Sequence, residues 1–139
     1  MTPVKRGKEK SMSNWTHVAG IIRIDDFRMD DKIPDFEKIF GKTVRFKDIN
    51  FPEEETLPMG SEGSLEMSVH VNPDLSSIPS YVVSIFGDLR DHDNPEEIVD
   101  WFKGKCKTVN EEFCGVRNAC IIVENEWNGT ATWFSGGDS

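Results

Sequence analysis

YVVSIFGDLRDHDNPEE, residues 81–97, decides the fold, because it passes from strand to helix within a few residues. Tyr81–Phe86 is rich in β-branched and aromatic residues, the composition of a strand, and the strand-like run extends to Leu89. Asp91-His92-Asp93-Asn94-Pro95-Glu96-Glu97 then has the makings of a helix start. A capping Asp or Asn accepts free backbone N–H groups, proline fits the first turn, and two acids complement the helix dipole. Downstream, Ile98, Val99, Phe102, Cys106 and Val109 form one apolar stripe, predicting a helix over Pro95–Val109 that Gly104 weakens. Ala119–Glu124 follows as a further strand.

The same order occurs upstream. Val18–Asp25 is strand-like, Pro34–Phe40 carries a short apolar stripe (Phe36, Ile39, Phe40) ended by Gly41, and Leu65–Val71 alternates strictly. Two β-α-β units predict an α+β fold, a ferredoxin-like β-α-β-β-α-β sandwich with helices on one face of a mostly antiparallel sheet. Val116–Trp127 and Thr130–Phe134, joined through Asn128-Gly129, add a C-terminal β-hairpin strand. Thr43–Phe46 reads as a brief strand, and Lys47–Gly63 as the longest loop. Residues 1–11 lack periodicity and read as a disordered basic tail, with residues 12–139 as one α+β domain.

Charge is unevenly divided. The chain of 139 residues has a formal charge of −9, but Lys5, Arg6, Lys8 and Lys10 against Glu9 give residues 1–11 a net +3, leaving −12 on the rest. Such a body repels nucleic-acid backbones and anionic membranes and attracts basic protein surfaces. No apolar run reaches the length of a membrane helix, and no hydrophobic segment follows the basic start, so the expected location is cytoplasmic. Cys106, Cys114 and Cys120 form no close pair, which suits a reducing compartment and buried small hydrophobes at Cys106 and Cys120. No zinc site and no other cofactor is expected from that spacing.

Chemistry has few footholds. Gly87–Asp93 is the densest ionisable loop, yet helix capping accounts for its residues without a metal. Gly60-Ser61-Glu62-Gly63-Ser64 precedes a strand and carries an acid, so it reads as a turn and not as a phosphate loop. No G-x-S-x-G elbow is present. His17, Arg23, Glu66, Ser68 and His70 fall on the phase that faces away from the helices, an open sheet face suited to a ligand or partner. Trp127, Trp133 and Phe134 on the last hairpin read as packing residues.

At Asn14-Trp15-Thr16-His17-Val18-Ala19-Gly20-Ile21-Ile22-Arg23-Ile24-Asp25 the chain resembles small uncharacterised proteins of bacteriophages and gut-bacterial mobile elements. Leu57–Leu65 and Ser84–Asp91 extend the resemblance to about a quarter of the chain. The resemblance implies a phage-type accessory protein and carries no site residues with it. Some such proteins are acidic inhibitors that occupy the basic nucleic-acid channels of host defence enzymes, anti-CRISPR proteins among them.

The first expectation is therefore a non-enzymatic protein that binds a host or defence protein with a basic surface. It would use Asp88, Asp91, Asp93, Glu96 and Glu97 first, and Glu53, Glu54 and Glu55 second, without direct nucleic-acid or membrane binding. The alternative is a small-ligand regulatory module, compatible with a homodimer, using His17, Arg23, Glu66 and His70 on the open face. A third reading is a metal-dependent hydrolase centred on Asp88, Asp91, His92 and Asp93.

Overall fold

Thr16, Val18, Gly20, Ile22 and Ile24 alternate with His17, Ala19, Ile21 and Arg23, and in the computed structural model this period-two pattern becomes the central strand β1, Trp15–Asp25. The structure describes residues 14–28, 33–45, 55–71, 78–113 and 115–135. The basic segment 1–11, Glu53, Glu54 and Cys114 lie outside the described residues. After β1 come helix α1 (Phe36–Phe40), the short strands β2 (Met59–Gly60) and β3 (Gly63–Ser64), and strands β4 (Glu66–Val71) and β5 (Ser80–Arg90). Helix α2 (Pro95–Phe113), β6 (Val116–Asn125) and β7 (Gly129–Phe134) complete the order. The fold is mixed α+β. Five strands form one sheet in the order β4-β5-β1-β6-β7, with every neighbouring pair antiparallel.

One face of this sheet carries the core. Ile22, Ile24, Val83, Ile85, Ile121 and Val123 pack beneath Ile98, Phe102 and Val109 of α2 and Phe36 and Phe40 of α1. Gly20 sits under Phe102: a Cβ there would lie 3.0 Å from its ring carbon Cε1, so the absence of a side chain seats the helix on β1. Trp133 meets Phe102 edge-on at 6.0 Å and 75°. Phe36 meets Tyr81 edge-on at 5.5 Å, anchoring α1 over the start of β5.

Several expectations change in detail. Helix α1 begins later than Pro34, at Phe36, because Asp35 is its cap and accepts from the Lys38 N–H at 3.2 Å. Helix α2 runs past Val109 to Phe113 in spite of Gly104, because the buried stripe continues on the core side of that residue. Strand β5 continues to Arg90, so most of the anticipated Gly87–Asp93 loop is strand. The long connection before β4 contains the β2–β3 hairpin. In place of a Thr43–Phe46 strand, the described part shows isolated bridges from Lys42 to Thr56 and from Arg45 to Gly63. The last hairpin turns through Glu126, Trp127 and Asn128, since Asn125 faces Gly129 in the register. Gly129, which follows the three-residue turn and opens β7, takes φ +92°, a backbone conformation open to glycine.

Candidate functional site

Polar residues at inward-phase positions of two strands build the first feature of the site. Thr16 shares the inner phase of Val18 and Ile22, and Asn125 shares that of Ile121 and Val123; both are buried, together with Asn14. The Asn125 amide satisfies them. Its Nδ2 donates to Asn14 Oδ1 at 3.0 Å, to Thr16 Oγ1 at 2.8 Å and to the His92 carbonyl at 3.3 Å. Its Oδ1 accepts from the Trp127 and Asn128 N–H groups at 2.9 and 2.7 Å. Thr16 Oγ1 donates in turn to the His92 carbonyl. One side chain thus ties β1, the β6–β7 turn and the approach to α2 together.

Around this knot the other chain crossings gather at the same end of the sandwich. The Asp91 N–H donates to the Asn14 carbonyl at 2.7 Å, the Glu126 N–H to the Trp15 carbonyl at 3.1 Å, and Asn128 Nδ2 to the Asp93 carbonyl at 2.7 Å. The β2–β3 turn is fastened here by the Ser61 N–H, which donates to the Arg90 carbonyl at 2.8 Å. Gly60 permits that approach, since a Cβ on it would fall 2.4 Å from the same carbonyl oxygen. Asn94 caps α2, its Oδ1 accepting from the Glu96 and Glu97 N–H groups at 3.2 and 3.3 Å.

The result is an acidic pole. Asp88, Asp91, Asp93, Glu96 and Glu97 converge there with Glu62, Glu124 and Glu126, all exposed. Among the described residues three basic side chains of the pole lie against carboxylates. Arg90 pairs with Glu62 and lies 3.9 Å from Asp91; His17 lies between Asp88 and Glu126; His92 lies 3.1 Å from Glu97. Of the acids singled out from the sequence, Glu55 sits elsewhere, paired with Lys105 of α2. Glu62, Glu124 and Glu126 were missed because only the strand register brings them to this end.

His17 is the pole's titratable hinge. Its Nδ1 lies 2.7 Å from Asp88 Oδ1 and its Nε2 3.2 Å from Glu126 Oε2, an arrangement in which both nitrogens donate only when the ring is protonated. The hydrogen bond to Asp88 does most to hold the imidazolium, burial opposes it, and Glu126 adds to it; the pKa rises above its ordinary 6.5. A raised folded-state pKa contributes stability that is complete below the unfolded value and is lost as pH rises through the folded one. The melting temperature of the wild type should therefore exceed that of His17→Gln by a margin that is complete well below pH 6.5 and shrinks as pH rises above it. Differential scanning fluorimetry of the pair reads this directly; a pH-independent margin contradicts it.

The hydrolase grouping is not assembled. Asp88 turns to His17, Asp91 accepts from Ser61 Oγ at 2.9 Å, and His92 turns to Glu97. Among the described residues no group of three or more His, Cys, Asp or Glu is placed to hold a metal ion. Burial pushes the Cys106 thiol up to about 12. Cys120, expected in the core, is instead exposed on the outer phase of β6.

The open face also differs from its anticipated polar character. His17, Arg23, Glu66, Ser68 and His70 do lie on it, but along its margins. His17 and Arg23 are six residues apart on one strand, roughly 20 Å, so they do not converge on one small ligand. The middle strands are apolar there, Ile21 being 44% exposed, Phe86 39% and Ile122 54%, and Phe134 at the β7 edge is 61% exposed. Of the three hairpin aromatics expected to pack, only Trp133 does; Phe134 joins the open face and Trp127 is exposed in the turn. No helix among the described residues is long and apolar enough to cross a membrane. Comparison with protein-family models, with curated proteins and with solved structures gives no match.

Proposed function

We propose that the chain is a non-enzymatic, phage-type accessory protein that binds a host or defence protein with a basic surface through the acidic pole. The observation that carries this reading is the convergence of eight carboxylates, scattered from Glu62 to Glu126, at one end of the sandwich. Like charges brought together by folding raise the free energy of the folded state, and three basic partners offset only part of that cost. What the arrangement supplies is a negative field that steers a basic surface into register and speeds association. A nucleic-acid-binding channel is such a surface, which makes an anti-defence inhibitor the specific form of the proposal.

The scaffold we read as ferredoxin-like. Strands β6-β1-β5-β4 are adjacent in that order with alternating direction, and α1 and α2 lie in the two crossovers, as a split β-α-β pair requires. Strand β7 extends the sheet beyond β6.

Asp91→Lys, Asp93→Lys and Glu96→Lys combined should leave circular dichroism and melting nearly unchanged, because all three side chains are exposed. Capture of the basic partner from bacterial lysate should fall about tenfold or more, each lost charge pair near the interface contributing modestly. Equal capture by the wild type and the triple variant removes the pole as the binding surface.

A further inference from the structure

The open sheet face is self-complementary. Across the strands, the register sets Asp88, His17 and Glu124 in one row, and Glu66, Phe86, Ala19, Ile122 and Thr132 in the next. Ser68, Ser84, Ile21, Cys120 and Phe134 form the third row, and His70, Val82, Arg23 and Asn118 the fourth. The two middle rows hold the exposed apolar side chains. The first row is acidic. The fourth carries Arg23, which has no ion-pair partner among the described residues; neighbouring Arg117 on β6 is paired with Asp25 at 3.4 Å.

The geometry points to a second copy of this chain as the occupant of that face, in a symmetric dimer that packs sheet on sheet. A two-fold axis lying in the interface, perpendicular to the strands and between the middle rows, exchanges the first row with the fourth. Arg23 of each copy then lies over His17 of the other, between the flanking carboxylates of Asp88 and Glu124, while Ile21, Phe86, Ile122 and Phe134 pack over the smaller Ala19, Ser84, Cys120 and Thr132 of the other copy. Isologous contacts of this kind occur twice, so one favourable arrangement counts double. A partner of uniform basic charge would instead leave Arg23 facing like charge. Apolar patches of this size on a sheet face mark association surfaces.

Size is adequate. Five strands at about 4.8 Å spacing and six residue steps of about 3.4 Å give a face of roughly 24 by 20 Å, on the order of 500 Å². Two such faces bury about 1,000 Å² or more in total, the level at which specific interfaces begin. The same symmetry sends the two acidic poles to opposite ends of the dimer. Asp88 and Glu124 belong to both surfaces, but Ile122→Asp and Phe134→Ser leave every pole carboxylate in place, and the Asp91, Asp93 and Glu96 reversals leave the dimer rows in place, so the two proposals fail separately.

Sedimentation equilibrium of the full chain at about 10–100 μM should give twice the chain mass of 15.8 kDa. Ile122→Asp should give a monomer with unchanged circular dichroism; if that variant loses its fold, Phe134→Ser serves the same comparison. Arg23→Glu should weaken dimerisation about tenfold or more, and Arg23→Glu with Glu124→Arg should recover most of it by restoring the cross-pair in reverse. A wild type that is monomeric at about 100 μM overturns the proposal, as does a dimer indifferent to Ile122→Asp and Phe134→Ser. A dimer indifferent to Arg23→Glu overturns the antiparallel arrangement. A monomer that dimerises only after removal of residues 1–13 assigns the face to the chain's own amino-terminal segment and equally overturns it.

Discussion

Phe102→Ala should destabilise the fold by about 3–5 kcal/mol, the range for removing a large buried aromatic. Phe102 is wholly inaccessible, rests on Gly20 of β1 and meets Trp133 of β7 edge-on. Its loss opens a cavity that rigid strands on one side and α2 on the other cannot close. Chemical denaturation should show a lower midpoint with an unchanged slope, and melting should fall on the order of 10–15 °C. Phe102→Leu should recover much of the difference, because it refills part of the volume. A loss below about 1 kcal/mol for the alanine variant would mean that α2 is not seated on Gly20 as described.

Asn125→Ala should cost about 2–4 kcal/mol, since it leaves buried donors and acceptors on Asn14, Thr16 and the 126–128 turn without partners. Asn125→Asp should cost more, although it keeps the shape. A carboxylate would direct oxygen at the three acceptors that Nδ2 now serves, and would add charge to an already acidic end. Both variants should also loosen the pole, seen as faster amide exchange at Trp127 and Asn128 than elsewhere in the sheet. Uniform exchange changes across the sheet would show that the Asn125 knot does not organise this end.

Much of the scaffold was legible from residue patterns. The two phases of β1 and the cap-proline-acid start of α2 announce their elements locally, through period and capping chemistry. Ile21 and Ile122 show where such reading stops. Apolar residues on both phases of β1 indicated a central strand, and β1 is central, but the pattern does not say whether a second layer covers the outer phase. Among the described residues no helix lies there, and those side chains are exposed. Cys120 was misplaced for the same reason: a strand position gives phase only after the register is known. Asn125 leaves a readable trace, a polar residue on the inward phase of Ala119, Ile121 and Val123. Convergence of the acids was the least accessible feature, because Glu62, Asp88 and Glu126 are neighbours only through long-range pairing.

The proposed role of the acidic pole is to bind a basic protein surface. Its most direct measurement is the release of a partner captured from bacterial lysate on the immobilised wild-type protein, at about 50 mM and about 500 mM salt and with competing duplex DNA. The expected result is one basic nucleic-acid-binding protein retained at low salt, released at high salt and displaced by DNA. A partner held equally at both salts and unaffected by DNA would contradict it.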